Sequence, residues 1–377
     1  MIEIETVLTN PGLLTVLVLV LLAEFVNGAT DAPNAIATVV STRVLRPWPA
    51  VGIAVLLNVI GALAGTAVAI TIAKGILDKN APLTLTTVGA AMTAIILWST
   101  LAWQFGIPTS ESHALVAGLA GAGLAAAGPG ALLWEGWQKV LVGLAFSTFL
   151  GFGLGHLVMV AIFWICRDMR PAAVRRVFGR LQILSAGFMA FGHGSNDGQK
   201  FMGAFVLALI LGGEYSRHEE VIHPGDTQLT VGTLVSDEEI EAAKAAAGDG
   251  AAEPKTRTYV PWPVIAICAL MMGIGTSVGG WRIIRTMGLG IVKLEPYHGF
   301  AAETAAATSI QLASQLGIPL STTHTINTAI MGVGATRRLS AVRWGVAREI
   351  IIAWILTFPV CGAIGYGVAW IFQQFQN

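Results

Sequence analysis

Two short polar motifs each occur twice in a largely apolar chain, and their residue types could bind ions. Residues 27–34 read NGATDAPN and residues 193–200 read HGSNDGQK, so Gly, a small residue, a polar residue and Asp follow one another in both. Residues 106–113 read GIPTSESH and residues 317–324 read GIPLSTTH. Carboxylate and amide oxygens are ligands of hard cations, whereas helix N-termini bind oxyanions. The motifs predict a site that holds a cation beside a small oxyanion.

The first motif pair supplies the candidate cation ligands. Asp31 and Asn34 in the first half, and Asn196 and Asp197 in the second, offer hard oxygen ligands. A carboxylate within an apolar segment is costly, so its default interpretation is functional. We expect Asp31, Asn34 and Asp197 to bind the cation, with Na⁺ as the candidate metal ion.

The second motif pair supplies the candidate anion ligands. Gly-Ile-Pro followed by hydroxyl side chains predicts a helix start, where free backbone N–H groups form the positive end of the helix dipole. Such a cluster alone is usually only a helix cap, but its repetition favours a site. The predicted phosphate ligands are the residues after the two prolines: Thr109, Ser110, Glu111, Ser112, Ser321, Thr322 and Thr323. Glu111 could accept from the phosphate O–H group, which sulfate lacks at pH 7.

The composition indicates which elements position these motifs. Hydrophobic residues form 54% of the chain and charged residues only 12%, too few to cover a water-soluble fold. The sequence predicts an all-α polytopic membrane protein of about 10–12 transmembrane or re-entrant helices. The first segment of each half is too long for one span, and we expect its polar motif to break it. The apolar segments lie at about 13–44, 49–73, 84–105, 107–127, 137–165, 181–212, 262–280, 297–316, 319–336 and 343–372.

The spacing of the motifs indicates an internal duplication. Ser110 follows Asp31 by 79 residues and Ser321 follows Asp197 by 124, and the difference equals the 45 residues of the polar stretch 214–258. Five spans in each half make the copies inverted, a pattern typical of secondary transporters. The predicted domains are a first inverted repeat, a basic loop, a second repeat in two pieces and an acidic polar insert, at 11–166, 167–180, 181–213 with 259–373, and 214–258.

Charge predicts the orientation in a cell membrane. The loop 167–180 carries five Arg residues against one acid, which places it in the cytoplasm. Counting spans outward then places the N-terminus and the insert 214–258 outside. The insert is rich in Ala, Glu and Gly, particularly over 238–254, and we expect it to be solvated and partly helical or disordered. Before the first apolar run there is no Lys or Arg, so no cleavable signal peptide is predicted.

Several motifs resemble those of the inorganic phosphate transporter family, the PiT symporters. They are GHGSNDGQK at 192–200, GIGTSVGGWR at 273–282 and GIPLSTTH at 317–324. The resemblance implies phosphate uptake coupled to Na⁺ or H⁺, an inverted-repeat fold and a homodimer. It also implies that Asp31 and Asp197 are the signature acids and that the hydroxyl clusters contact phosphate. Thr30 stands where the family usually has Asn or His, which leaves the ion selectivity open.

Two other functions are compatible with some of these residues. A sulfate permease of the same superfamily would also carry a tetrahedral anion. An intramembrane hydrolase could use Asp31, Asp197, His113 and His324 on a metal, but the chain has no HExxH spacing. We expect a transporter and not an enzyme, with no organic cofactor, no nucleotide motif and no nucleic-acid partner.

A further acid, Glu303, lies in the segment that precedes the second GIP motif. Thr304, Thr308, Gln311 and Gln315 follow it at helical spacing, and we expect their face to point inward. Glu303 needs a partner, either Arg282 or Arg285 from the neighbouring loop or the transported cation. Because the cation-coupled members that this chain resembles carry an acid hereabouts, Glu303 is also a candidate Na⁺ ligand.

Overall fold

The computed structural model describes residues 7, 9–78, 81–213, 219–221, 233–235, 256–258 and 260–376. Its main elements are helices. In chain order they are α1 (Pro11–Ser41), α2 (Pro47–Leu63), α3 (Ala67–Gly75), α4 (Leu85–Phe105), α5 (Glu111–Ala127), α6 (Trp134–Cys166), α7 (Pro171–His193), α8 (Gln199–Leu211), α9 (Trp262–Val278), α10 (Trp281–Arg285), α11 (Pro296–Gln315), α12 (Thr322–Ala335) and α13 (Trp344–Gln376). Short 3₁₀ turns lie at Pro129–Ala131 and Leu339–Ala341, and π turns at Gly194–Gly198 and Thr286–Gly290.

Each of the ten predicted apolar segments coincides with a helix or with two consecutive helices. Among the described residues, α1, α4, α6 and α13 are long and apolar enough to cross a membrane. Two bent pairs, α2 with α3 and α9 with α10, bend by 69° and 62° and raise the number of candidate spans to six. Helices α5 and α12 have 17 and 14 residues. At about 1.5 Å per residue they are shorter than the roughly 30 Å apolar layer.

The predicted break in the first segment is wrong, because α1 is one helix of 31 residues with Pro33 inside it. The second polar motif is likewise not a helix end but a π turn, Gly194–Gly198, between α7 and α8. The reason is that the polar side chains find partners. The Thr30 hydroxyl lies 2.9 Å from the Val26 carbonyl oxygen one turn back and 2.9 Å from Glu111 on α5. The backbone therefore keeps its helical form.

The predicted basic loop is shorter than 167–180. Helix α6 continues to Cys166 and α7 starts at Pro171, so only 167–170 connect them. Proline is favoured in the first turn of a helix because it has no N–H to satisfy, and the residues that follow Pro171 include several good helix formers. One of the arginines that the shorter loop leaves on α7, Arg175, binds Glu295 at 2.6 Å.

The polar insert contains three short antiparallel strands, β1 (Glu219–Val221), β2 (Thr233–Val235) and β3 (Thr256–Thr258). β1 lies in the middle and pairs with both others, so that Glu219 is opposite Val235 and Thr258. These strands were not predicted. The stretch 238–254, for which helical or disordered structure was expected, lies outside the described residues.

The two halves pack with matching partners. Helix α5 packs against α13 and α4, and α12 packs in the same way against α6 and α11. Contact between the backbones requires glycine at equivalent places. A Cβ at Gly121 on α5 would strike the carbonyl oxygen of Gly362 on α13, and one at Gly332 on α12 would strike that of Phe152 on α6. This close packing fixes the starts of α5 and α12 deep in the protein. That the halves are inverted copies stays a prediction.

Candidate ion-binding site

One face of α1 carries the polar residues of the bundle interior. Glu24, Asn27, Asp31, Asn34 and Thr38 follow one another at spacings of 3, 4, 3 and 4 residues, which places them on one stripe of a helix. Each is at most 4% exposed. Asp31, Asn34 and Thr38 find side-chain partners on other elements, whereas Glu24 and Asn27 hydrogen-bond each other within α1.

The first acidic motif meets the second hydroxyl motif. The Thr323 hydroxyl donates towards both carboxylate oxygens of Asp31, at 3.4 Å each. The Asn34 amide donates to Thr323 Oγ1 at 3.0 Å and to Thr322 Oγ1 at 3.3 Å. The start of α12, from the second half, thus lies against the middle of α1, from the first.

The second acid, Asp197, lies in the π turn and contacts three side chains. Thr322 Oγ1 donates to its Oδ2 at 2.6 Å, and His193 Nε2 lies 3.2 Å from the same oxygen. Lys200 Nζ contacts Oδ1. Since Thr322 and Thr323 stand side by side, Asp31 and Asp197 are brought together at the start of α12.

Lys200 connects this acid to both hydroxyl motifs. Its side chain is 1% exposed. Besides Asp197, its ammonium donates to Ser112 Oγ at 2.5 Å and to the Leu320 carbonyl oxygen at 2.9 Å. Ser112 also donates to the Leu320 carbonyl, at 3.0 Å. These contacts use all three N–H groups of the ammonium, so Lys200 is a fully hydrogen-bonded cation inside the site.

The two hydroxyl motifs begin helices in the same way. Ser110 is the N-cap of α5 and accepts from the His113 N–H at 3.3 Å, and Ser321 is the N-cap of α12 and accepts from the His324 N–H at 3.1 Å. Thr109 precedes the first cap and is buried. Beyond the caps, each helix directs its first N–H groups and its positive dipole end towards the space between them.

The carboxylate of Glu111, predicted to accept the phosphate O–H group, already accepts hydrogen bonds from two protein side chains. Its Oε1 accepts from Thr30 on α1 at 2.9 Å, and its Oε2 accepts from Ser99 on α4 at 2.5 Å. Both carboxylate oxygens are therefore engaged by protein hydroxyls. Thr30 in turn is already bound and does not reach the other predicted cation ligands.

Two predicted cation ligands lie apart from this centre. Asn196 donates to Ser314 Oγ at 3.0 Å and to the Ile318 carbonyl oxygen at 3.4 Å. Glu303 belongs to a second polar group, formed with Thr38, Gln182 and Ser185.

Of the two partners expected for Glu303, the arginine is wrong, because Arg282 instead binds the Gln104 carbonyl oxygen. Three side-chain donors replace it, and Gln182 is 3.2 Å away. Thr38 stands seven residues after Asp31, about 10.5 Å further along α1. Glu303 is thus connected to the centre through α1.

The prediction that the polar face of α11 points inward is also wrong. Thr308 is exposed, and Thr304 and Gln311 are only partly buried. The Thr308 hydroxyl donates to the Thr304 carbonyl oxygen at 2.8 Å, within the helix itself. The opposite face carries small residues such as Ala306 and Ala313, which let neighbouring helices approach closely. Close packing, not polarity, sets the rotation of this helix.

The arrangement is suited to a cation. Asp31, His193 and Asp197 each offer a ligand atom, and these atoms lie within 4.8 Å of one another. Two carboxylates at this distance repel each other, and Lys200 neutralises only one of them. His113 and His324 are not part of this group. They pack against each other with ring centroids 4.4 Å apart, and His324 stacks on Trp354 at 3.6 Å.

Sequence reasoning missed His193, Lys200, Glu24 and Asn27. His193, Asp197 and Lys200 are spaced i, i+4 and i+7 within one quoted motif. The rule that a charge within an apolar span is functional, which selected the aspartates, applies equally to Lys200 and Glu24.

The fold and site define a multi-pass helical membrane protein with a buried cluster of charged and polar residues between its two halves. The sequence pattern of the phosphate transporter family matches residues 27–175 and 166–365. A probable low-affinity inorganic phosphate transporter of Rhizobium meliloti (strain 1021) is 40% identical over 96% of both chains, and one of Bacillus subtilis (strain 168) is 36% identical over 94% of this chain and 95% of its own. The chain belongs to the phosphate transporter family.

A solved structure described as the sodium-dependent phosphate transporter has the same fold. Its TM-score is 0.77 at 24% identity, and the match covers 97% of this chain and 100% of the other. The family and its relatives are transporters and not enzymes. Both relatives are described as carriers of phosphate, and neither supports the sulfate alternative.

Proposed function

We propose that this protein is a secondary active transporter that moves inorganic phosphate across the membrane by symport with a cation. The observation that carries the proposal is the meeting of two acids, Asp31 and Asp197, with the start of α12, while Lys200 connects the start of α5 to the same place. An anion and a cation bound side by side lower the cost of burying each other's charge.

Phosphate binds between the two helix starts in this proposal. The contacts come from Thr109, Ser110 and Ser112 on one side and from Ser321, Thr322 and Thr323 on the other. Backbone N–H groups at the starts of α5 and α12 add the positive potential that anions need. Glu111 accepts the phosphate O–H in exchange for one of its two hydroxyl partners. Lys200 holds the two helix starts together through Ser112 and the Leu320 carbonyl.

The coupling cation binds at Asp31, Asn34 and Asp197, with His193 as a further ligand. Asn196 positions the π turn from the side. Glu303 influences the same centre through Thr38 on α1. The solved structure with this fold is described as sodium-dependent, which supports Na⁺ as one candidate, and H⁺ is the other.

The proposed orientation of the protein in the membrane follows from the distribution of its basic residues. The connection 167–170 and the start of α7 lie in the cytoplasm, and the N-terminus and the insert lie outside the cell membrane. The two halves are inverted repeats. The exposed polar face of α11, with Thr304 and Thr308, supports a homodimer, because a polar face against lipid is unfavourable.

Uptake into liposomes tests the substrate and the acids together. We expect purified protein to accumulate labelled phosphate but not sulfate, driven by an inward Na⁺ or H⁺ gradient applied separately. Asp31→Asn and Asp197→Asn should lose uptake while inserting normally. Asp168→Asn, which changes an acid whose side chain is 89% exposed, should behave like the wild type. Uptake by either of the first two variants at the wild-type rate would contradict the assignment.

A further inference from the structure

A buried carboxyl group lies outside the centre described above. Glu24 on α1 is 0% exposed. Its Oε2 accepts one hydrogen bond, from the Asn27 amide at 3.0 Å. Neither Glu24 Oε1 nor Asn27 Oδ1 has a hydrogen-bond partner among the described residues. Two acceptor oxygens, one helical turn apart, are therefore buried without a donor.

The other buried acids do not share this feature. Glu111 accepts from Thr30 and Ser99, one on each oxygen. Glu303 accepts from three side chains, and Asp197 from Lys200 and Thr322 on opposite oxygens. Each of these carboxylates has the donors that an ionised group requires when it is buried. Glu24 has one amide donor and a bare oxygen.

No cation is available to pair with an ionised Glu24. The charged or titratable groups that interact with it across the packed helices are Glu111 on α5, Asp197 in the π turn, Lys200 on α8 and Cys268 on α9. Lys200 is the only positive one of these four, and its three N–H groups are bound to Asp197, Ser112 and Leu320. An ionised Glu24 would therefore be a buried charge with no free cation beside it.

Asn27 can serve both protonation states. An ionised carboxylate needs a donor, and the amide N–H supplies one at 3.0 Å. A protonated carboxyl needs an acceptor for its O–H, and rotating the Asn27 amide by half a turn puts Oδ1 in the same place. A metal ion requires several oxygen ligands, whereas this pair has two bare oxygens. A proton needs only one.

We propose that Glu24, with Asn27 as its hydrogen-bond partner, is a proton-binding site of this transporter. The site rests on the proposed function and identifies one coupling ion as H⁺. In each cycle the Glu24 carboxylate takes up a proton on one side of the membrane and becomes a carboxylic acid. It releases the same proton on the other side.

The site is connected to the ion-binding centre by α1 and by a short chain of contacts. Thr30 Oγ1 lies 3.4 Å from the Asn27 carbonyl oxygen and 2.9 Å from Glu111 Oε1. Glu111 begins α5, the helix whose start forms one side of the proposed phosphate site. Asp31 lies seven residues after Glu24 on the same face of α1.

Two transport modes of Glu24→Gln test the proposal. Glutamine keeps the shape and a hydrogen bond but cannot take up and release a proton. With wild-type protein in liposomes, an inward gradient of one pH unit should accumulate phosphate about tenfold for one coupled proton. Glu24→Gln should accumulate none beyond equilibrium, yet exchange labelled for unlabelled phosphate within about twofold of the wild-type rate. The matched control is Glu349→Gln, which changes an exposed acid of α13.

The outcomes separate the site from the function. Pumping by Glu24→Gln at the wild-type level would overturn the site and place the proton on phosphate. Wild-type exchange that ignores the pH gradient would also overturn the site, while leaving phosphate transport intact. Absence of wild-type exchange would overturn the proposed function and the site with it.

An infrared measurement covers the case in which Glu24→Gln loses exchange as well. The C=O band of a protonated carboxyl group should disappear in Glu24→Gln and persist in Glu349→Gln. A band that is unchanged in Glu24→Gln would overturn the proposal.

Discussion

The ion pair between Lys200 and Asp197 gives a sharp test of the site. Both side chains are 1% exposed. Removing one member of a buried pair leaves an uncompensated charge and costs about 3–5 kcal/mol of stability. Lys200→Met should therefore lower the free energy of unfolding by about that amount, and so should Asp197→Asn. The two hydrogen bonds from Lys200 to Ser112 and Leu320 are lost in the same step.

The double variant of Lys200 and Asp197 shows whether the two residues interact. In Lys200→Met with Asp197→Asn both members of the pair are removed, so its loss should be smaller than the sum of the single losses by about 2–3 kcal/mol. Reversible unfolding in mixed micelles, followed by circular dichroism, measures all four proteins of the cycle.

A second cycle supplies the control. Lys139 on α6 is exposed, and Lys139→Met combined with Asp197→Asn should be additive to within about 0.5 kcal/mol. If the Lys200 and Asp197 substitutions are also additive, the two residues do not form a pair and the reasoning is refuted. Phosphate uptake should be lost in both Asp197 variants whatever their stability.

Three further outcomes are expected. Ser110→Ala should lower the free energy of unfolding by about 1 kcal/mol through loss of the α5 cap and weaken phosphate uptake, whereas the exposed Ser277→Ala should change neither; equal effects of the two would contradict the role of the cap. Gly121→Ala, whose methyl group meets the α13 backbone, should cost about 1–3 kcal/mol, and Gly345→Ala, which meets nothing within 4 Å, should cost much less in the same unfolding assay. Replacing 216–256 by a short Gly/Ser linker should leave phosphate uptake in liposomes near the wild-type level, because surface insertions tolerate change; loss of uptake by a correctly inserted protein would show that the insert takes part.

The sequence was sufficient for features that repeat. The apolar segments indicated the helices, and the duplicated motifs indicated helix starts with hydroxyl caps, because Pro, hydroxyl residues and hydropathy are local signals. The structure shows Ser110 and Ser321 as these caps. The bringing together of Asp31 and Asp197 was expected from their matched places in the two halves. Helices, caps and matched positions in two halves can all be predicted from residue types and their spacing along the chain.

Partner choice was not predictable in the same way. For Glu303 the partner was expected to be an arginine or the transported cation, and the structure shows three neutral donors. Polarity predicts the wrong rotation for α11, because its alanine face packs inward and its Thr308 is exposed. Whether Thr30 and Pro33 break α1 depends on contacts with α5 and other helices. Such contacts between distant parts of the chain cannot be predicted from the local sequence.

The continuity of α1 has a mechanical consequence. A helix of 31 residues is about 46 Å long, and it holds Glu24, Asp31 and Thr38 at fixed distances from one another. If binding at one of these three residues tilts α1, the other two residues move at the same moment, without a chain of side-chain contacts between them. The starts of the shorter helices α5 and α12 contact the middle of α1 through Glu111 and Thr323, so a tilt of α1 would change their contacts with Thr30 and Asp31 as well.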